Sequence, residues 1–129
     1  MNGLRKKVLL VDDDRLLVMS FRDVIKVAGY ELETAAMGME AWEKLQKFSP
    51  HIVILDIVIP EMSGFEIARK MKSDANLRKI PILMLTGLRS PSDATDAKLA
   101  GADEVLLKPI NPEKLLERIK FHINKASST

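Results

Sequence analysis

The chain has 129 residues, no cysteine and nearly balanced charge, with 20 Lys and Arg against 18 Asp and Glu. This length suits one domain with its own core, and the lack of cysteine excludes disulfides, thiolate metal sites and cysteine nucleophiles. The basic residues are scattered rather than clustered as in nucleic-acid-binding stripes. No apolar run approaches the ~18 residues of a membrane span, and the first is too short for a signal peptide. We therefore expect one cytoplasmic domain, 1–129, without direct nucleic-acid or membrane binding.

The first half of the chain alternates apolar runs with helical patterns. A strand at 8–11 precedes a helix in which apolar residues recur at three- and four-residue spacing. A weaker strand at 30–35 leads to a helix that begins near Gly38, and a third strand at 52–55 ends at Asp56. The predicted inward residues are Leu17, Phe21, Val24 and Ala28 in the first helix, and Ala41, Leu45 and Phe48 in the second.

The second half repeats this alternation. We predict a helix at 64–74, a strand at 82–85, an alanine-rich helix with Ser90 as its N-cap, a strand at 105–107 and a last helix opened by Asn111. Five strands alternating with five helices imply an α/β fold, a doubly wound parallel sheet covered on both sides. The predicted inward residues are Phe65, Ala68 and Met71, then Ala94, Ala97 and Ala100, and finally Leu116, Ile119 and Ile123.

Polar residues follow four of the five predicted strands. They are the aspartates at 12–14, Asp56, Thr86 and Lys108. Because the carboxyl ends of parallel strands lie at one edge of a sheet, we expect these side chains to converge. Converging carboxylates repel one another unless a cation binds or some of them protonate. A cluster of oxygen ligands with Thr and Lys donors nearby suits Mg²⁺ and a phosphoryl group.

These residues also match the motif of a known family in order and spacing. The chain resembles the receiver domain of two-component response regulators over about residues 6–125. The resemblance implies a flavodoxin-like, three-layer sandwich with strand order 2-1-3-4-5, and a cis peptide bond between Lys108 and Pro109. The matching elements are Asp12-Asp13, Asp56 with Pro60 and Gly64 downstream, Thr86, and Lys108-Pro109.

The resemblance implies that the domain is a phosphorylation switch rather than an enzyme with an external substrate. Asp56 is then the nucleophile that takes a phosphoryl group from the phosphohistidine of a histidine kinase or phosphotransfer protein. Mg²⁺ is expected on Asp13, the Asp56 carboxylate and the backbone carbonyl of Val58, with Asp12 helping through water.

The family's two remaining site residues supply the expected switch. Lys108 and Thr86 are expected to contact phosphoryl oxygens. Because these contacts exist only after phosphorylation, they would draw in the loop after the fourth strand and tilt the fourth helix. The change would act on an output domain or a target protein that the sequence does not identify.

Several residues have a structural interpretation beside the functional one. Asp14 is either the N-cap of the first helix or a metal ligand. His51 and His122 have no second ligand at a metal-binding spacing, so we expect both to be structural or to face solvent.

The sequence departs from the family where receivers often carry polar or aromatic residues. Val105 stands where a Tyr or Phe often turns inward on activation, so output coupling through an aromatic rotamer is in doubt. Val58 and Leu88 are apolar at the two positions that flank the phosphoryl group. Because neither can position an attacking water, we predict a long-lived acyl phosphate.

Two other functions compete with the phosphorylation switch. Asp12-x-Asp14 resembles the nucleophile motif of Mg²⁺-dependent haloacid dehalogenase phosphatases, but those enzymes need a longer core and an acidic motif after the lysine, and 109–111 supply none. The chain can also be a receiver-like binding module that is not phosphorylated. An FMN carrier of similar topology is disfavoured, since the three aspartates would repel the flavin phosphate.

Overall fold

A computed structural model describes residues 5–87 and 92–127 of the chain. Strands and helices alternate there as predicted, whereas Leu88 and the predicted N-cap Ser90 lie outside the described residues. None of the helices in these ranges is long and apolar enough to span a bilayer. The elements are β1 (Lys7–Val11), α1 (Arg15–Val27), β2 (Glu31–Ala35), α2 (Gly38–Phe48), β3 (Ile52–Asp56), α3 (Gly64–Lys72), β4 (Ile82–Thr86), α4 (Ser92–Ala100), β5 (Glu104–Leu107) and α5 (Pro112–Ser127).

The five strands form one parallel sheet in the order β2-β1-β3-β4-β5, which confirms the expected 2-1-3-4-5 topology. The register pairs Val11 with Leu55, Asp56 with Leu85, and Thr86 with Leu107. The carboxyl ends of β1, β3, β4 and β5 therefore meet at one edge of the sheet, where the polar residues lie.

The core consists of two clusters, one on each face of the sheet. Successive strand residues point to opposite faces, so Val8 and Leu10 pack under α1 and α5, while Leu9 and Val11 pack under α2 and α3. Burial on both faces explains why the central strands are continuous apolar runs without polar alternation.

In α1 and α5, one residue that was predicted to face the core does not do so fully, and a neighbouring residue is buried instead. Ala28 is not inward, because it is the exposed C-cap of α1, and Ile25 fills the core instead. In α5, Leu115 is fully buried and Leu116 is only half-buried. The third helix ends at Lys72 rather than at 74, since Ser73 is its C-cap.

The two histidines have structural roles. His122 is buried, with its Nε2 2.7 Å from a Glu104 carboxylate oxygen that also accepts from Arg118. Burial acts to raise the pKa of Glu104, but the hydrogen bonds from His122 and Arg118 outweigh it and lower the pKa. His51 is exposed and accepts the backbone N–H of Lys7 through Nδ1.

Candidate functional site

The three aspartates after β1 have different environments. Asp12 is buried, with 2% of its surface exposed, and its Oδ1 accepts the backbone N–H of Asp14 at 2.9 Å. Asp13 is exposed. Asp14 is the N-cap of α1, since its side chain accepts the N–H groups of Leu16 and Leu17. The sequence left two roles open for Asp14, helix N-cap or metal ligand, and the structure shows the N-cap.

Asp56 ends β3 and is 7% exposed. Its Oδ1 accepts the backbone N–H of Val58 at 3.3 Å, and Ile57 continues the sheet pairing by donating to the Leu85 carbonyl. Gly64 begins α3 directly behind it, where an added Cβ would overlap the Asp56 backbone carbonyl. Only glycine leaves room for this close approach, which fixes the loop that carries Asp56 against the start of α3.

Lys108 joins the ends of three strands. Its Nζ lies 3.0 Å from Asp12 Oδ2 and 3.1 Å from Asp56 Oδ2. Its backbone N–H donates to the carbonyl of Thr86 at 2.8 Å, and Thr86 itself is buried at the end of β4. The Lys108–Pro109 peptide is cis, as the resemblance implied.

The charges of the site perturb one another. Burial raises the pKa of Asp56, and the negative charge of Asp12 raises it further, against the smaller opposing effects of Lys108 and the Val58 N–H. Burial acts to lower the pKa of Lys108, but the close Asp12 carboxylate and the charge of Asp56 outweigh it, so this pKa is raised. Lys108 is therefore a permanent cation between two carboxylates.

The carboxylates of the site fit a divalent cation. Asp12, Asp13 and Asp56 each offer an oxygen within 4.8 Å of the others. Asp12 Oδ2 is buried and makes no hydrogen bond of acceptable geometry to the described residues, although Lys108 Nζ lies near it. Three carboxylates and one ammonium leave an excess of two negative charges, and a hard cation with oxygen ligands compensates such an excess. Asp13, exposed to solvent, leaves space for metal-bound water.

A cleft of about 490 Å³ lies beside Asp56 and has room for a phosphoryl group. Thr86 and Lys108 line it as the sequence predicts, and Val58 lines it with 76% of its surface exposed. Phe65 and Asp93 also line the cleft, which the sequence alone does not predict. Asp93 lies in the first turn of α4. Its position in the sequence, seven residues after Thr86 at the end of β4, is the feature from which its place in the cleft could have been predicted. The cleft is lined by Asp56, Ile57, Val58, Phe65, Thr86, Gly87, Asp93 and Lys108.

Val105, which stands in the aromatic position, is half-buried. It packs against the core cluster that lies under α2, α3 and α4. β5 therefore has no aromatic side chain at position 105 that could turn inward when Thr86 moves.

Comparisons with known proteins agree with this geometry. The family model described as response regulator receiver domain matches residues 8–120. The polar-differentiation response regulator DivK of Brucella ovis is 32% identical over 123 residues, which cover 95% of this chain and 100% of DivK. Among solved structures, the chemotaxis response regulator CheY4 of Vibrio cholerae is 39% identical with a TM-score of 0.86, covering 92% of this chain and 99% of CheY4. A CheY-like receiver domain protein from Methanospirillum hungatei is 31% identical with a TM-score of 0.89, and the match covers 97% of this chain and 98% of that protein.

Proposed function

Because the chain belongs to the receiver domain family of response regulators, we propose that Asp56 is its phosphoacceptor. This proposal rests on one observation: an ammonium group, two further carboxylates and an open cleft all lie around the Asp56 carboxylate. Asp56 has the Lys108 ammonium at 3.1 Å, two further aspartates close enough to share a cation, and a cleft beside it that Thr86 lines. A nucleophile that accepts a phosphoryl group needs its surrounding negative charge neutralised in this way.

The proposed transfer is an in-line displacement at phosphorus. An Asp56 oxygen attacks the phosphorus of a phosphohistidine, the P–N bond breaks, and its electron pair stays on the imidazole nitrogen, which takes up a proton. The product is an acyl phosphate on Asp56. The Val58 N–H and Lys108 Nζ hold the two carboxylate oxygens, one each, so the attacking group is oriented before the donor arrives. The donor is a histidine kinase or phosphotransfer protein.

Asp12, Asp13 and Asp56 would hold Mg²⁺, with the Val58 backbone carbonyl as a further ligand. When bound, the ion neutralises charge on the transferring phosphoryl oxygens. The protein contributes the ligand geometry: Asp12 is fixed by the Asp14 N–H, and Asp14 is itself fixed by capping α1.

Phosphorylation would then redistribute the contacts of Lys108 and Thr86. A phosphoryl group competes with Asp12 and Asp56 for the Lys108 ammonium, and it offers acceptors to the Thr86 hydroxyl. Both residues are at strand ends joined by the Lys108 N–H to Thr86 carbonyl hydrogen bond. The neighbouring α4 is buried through only small side chains, Ala97 and Ala100, so a small rearrangement at Thr86 moves it at low cost and changes the surface seen by an output domain or target protein.

The phosphatase alternative requires Asp12 as nucleophile and Asp14 as acid. Asp12 is 2% exposed, its Oδ1 is engaged by a backbone N–H, and Asp14 caps a helix. This arrangement favours Asp56, which lines the open cleft.

Labelling with a small acyl-phosphate donor and Mg²⁺ tests the proposal. Mass spectrometry of the digested protein should locate the phosphoryl group on Asp56, and Asp56→Asn should abolish it. Asp23→Asn, which removes an exposed carboxylate of α1, should leave the labelling unchanged. A label on Asp12 would indicate the phosphatase, and no label at all would indicate a binding module.

A further inference from the structure

An exposed face that shares no residue with the cleft surrounds Trp42. It is formed by α2 and α3, and we call it the Trp42 face, made of Met39, Trp42, Glu43, Arg69 and Lys70. Met39 is 57% exposed, and the half-buried Trp42 is shared by two shallow grooves of about 330 and 360 Å³. Trp, Met and Arg are the residue types enriched in protein interfaces.

The two flanks of this face carry opposite charges. Glu43 lies on the α2 flank, where its exposed carboxylate pairs only loosely with Lys47, at 3.8 Å. Arg69 and Lys70 lie on the α3 flank, and neither forms an ion pair with any residue in the described ranges. Lys70 Nζ instead lies 4.7 Å from the centroid of the Trp42 ring. The face thus presents an aromatic centre between an acidic and a basic edge.

We propose that the Trp42 face binds a second copy of this chain. α2 and α3 run in the same direction, because both connect parallel strands of one sheet. A two-fold axis parallel to the two helices and between them places α2 of each copy on α3 of the other. Glu43 of one copy then faces Arg69 and Lys70 of its partner, the same contact occurs twice, and the two Trp42 rings meet near the axis.

Charge complementarity distinguishes a second copy from other occupants. A uniformly acidic partner would meet Glu43, and a uniformly basic partner would meet Arg69 and Lys70, whereas the two-fold arrangement places Glu43 opposite Arg69 and Lys70 at both contacts. The apolar centre is small, so the association is weak and concentration-dependent. Because the charged flanks are exposed, added salt weakens the dimer. Dimer formation through this face does not require phosphorylation of Asp56.

Charge reversal combined with mixing tests this arrangement. Sedimentation velocity of the full chain, from micromolar to millimolar concentration, should show a monomer–dimer equilibrium. Glu43→Lys and Lys70→Glu should each weaken the dimer roughly tenfold or more, since the first makes both symmetry-related contacts repulsive and the second cancels the positive charge that Arg69 leaves at each contact. In an equimolar mixture one contact is that of the wild type and the other again brings opposite charges together at positions 43 and 70, so the mixture should form a heterodimer more tightly than either variant associates alone. Both side chains are exposed, and circular dichroism verifies that the variants are folded.

Lys120→Glu is the matched control, because it makes the same charge change on the exposed side of α5. It should leave the dimer unchanged. A wild-type chain that stays monomeric throughout this concentration range overturns the proposal. So does a dimer that both single variants leave intact, a mixture that does not recover association, or an equal loss in Lys120→Glu.

Discussion

The surroundings of Asp56 disfavour the charged form of its carboxyl group. Burial and then the neighbouring Asp12 charge raise its pKa above the ordinary value of 3.8. A carboxyl whose pKa is higher in the folded than in the unfolded chain binds its proton more tightly when folded. Its ionisation therefore lowers the free energy of unfolding as the pH rises above about 3.8, and the loss is complete above the folded pKa. At neutral pH the proposed nucleophile destabilises the domain.

Asp56→Asn should consequently be more stable than the wild type in metal-free buffer at neutral pH. We expect a gain of about 0.5–2 kcal/mol, the usual size for a stabilising substitution. The gain should shrink as the pH falls through the folded pKa and vanish only below 3.8, where the wild-type carboxyl is protonated in both states. Urea unfolding at a series of pH values measures the difference. Asp23→Asn should show no such gain, and an Asp56→Asn variant that is equally stable or less stable at neutral pH would contradict the prediction.

Val58 allows a residue-scale test of the lifetime of the acyl phosphate. Its side chain is 76% exposed and lines the cleft beside Asp56. Because this side chain is apolar, it offers no hydrogen bond to a water that attacks phosphorus. Val58→Asn should accelerate dephosphorylation by about tenfold, less than the roughly hundredfold that a positioned general base contributes. Loss of label after removal of the phosphodonor gives the rate.

Val58→Ala separates hydrogen bonding from bulk, since it opens the cleft without adding a polar group. It should leave the dephosphorylation rate near that of the wild type. A rate that is unchanged or lower with Asn or Glu at position 58 would count against the predicted role of the apolar side chain.

At the scale of elements, α2 depends on the loop that follows Asp56. Its N-cap residue, Met37, makes no side-chain capping hydrogen bond. Glu61 substitutes from the β3–α3 loop, because its Oε1 accepts the Met39 N–H at 3.1 Å, and Pro60 accepts the N–H of Gly38. Gly38 is required there, since an added Cβ would overlap Met62. The start of α2 is thus capped by a segment four to five residues beyond the phosphoacceptor.

Removing this cap should loosen the first turn of α2. Glu61→Ala should lower the free energy of unfolding by about 1 kcal/mol, as the loss of a helix N-cap does, and should speed hydrogen exchange at the Met39 amide. Glu61→Gln keeps an acceptor oxygen and should retain most of the protection. Both variants keep a side chain at φ 75°, so backbone strain does not account for a difference between them. Equal exchange at Met39 in the two variants would show that the cap is unimportant.

At the scale of the whole molecule, the sequence predicts the architecture and the central site residues because both depend on local patterns. Each buried strand is a short apolar run, and the polar residue that ends it must lie at the common edge once the strands are parallel. Asp12, Asp56, Thr86 and Lys108 come together for this reason. Their chemical roles remain a proposal that labelling decides.

The features that the sequence did not predict depend on contacts between distant segments. The choice of Leu115 over Leu116 as the fully buried residue of α5 is set by how the helix sits on the sheet. Glu104 and His122 are 18 positions apart, and Glu61 and Met39 are 22 apart, so no local periodicity reports them. Asp93 reaches the cleft only because α4 packs beside β5.

The stability of the whole domain should respond to Mg²⁺ through the aspartate cluster. A ligand that binds only the folded chain stabilises it by about 2.7 kcal/mol at a hundredfold excess over its Kd. Thermal unfolding in MgCl₂ should therefore occur at a higher temperature than in NaCl of equal ionic strength, and EDTA should reverse the shift.

A comparison of Asp13→Asn with Asp14→Asn shows whether the aspartate cluster is the source of the Mg²⁺-dependent stabilisation. Each substitution removes one negative charge from the same loop, but only Asp13 belongs to the cluster that can share a cation. Asn is as good an N-cap as Asp, so the role of Asp14 in capping α1 is preserved. We expect Asp13→Asn to lose most of the Mg²⁺-dependent stabilisation and Asp14→Asn to keep it. If both variants lose it equally, Mg²⁺ acts by screening the acidic loop as a whole, and the cluster of Asp12, Asp13 and Asp56 is not the site.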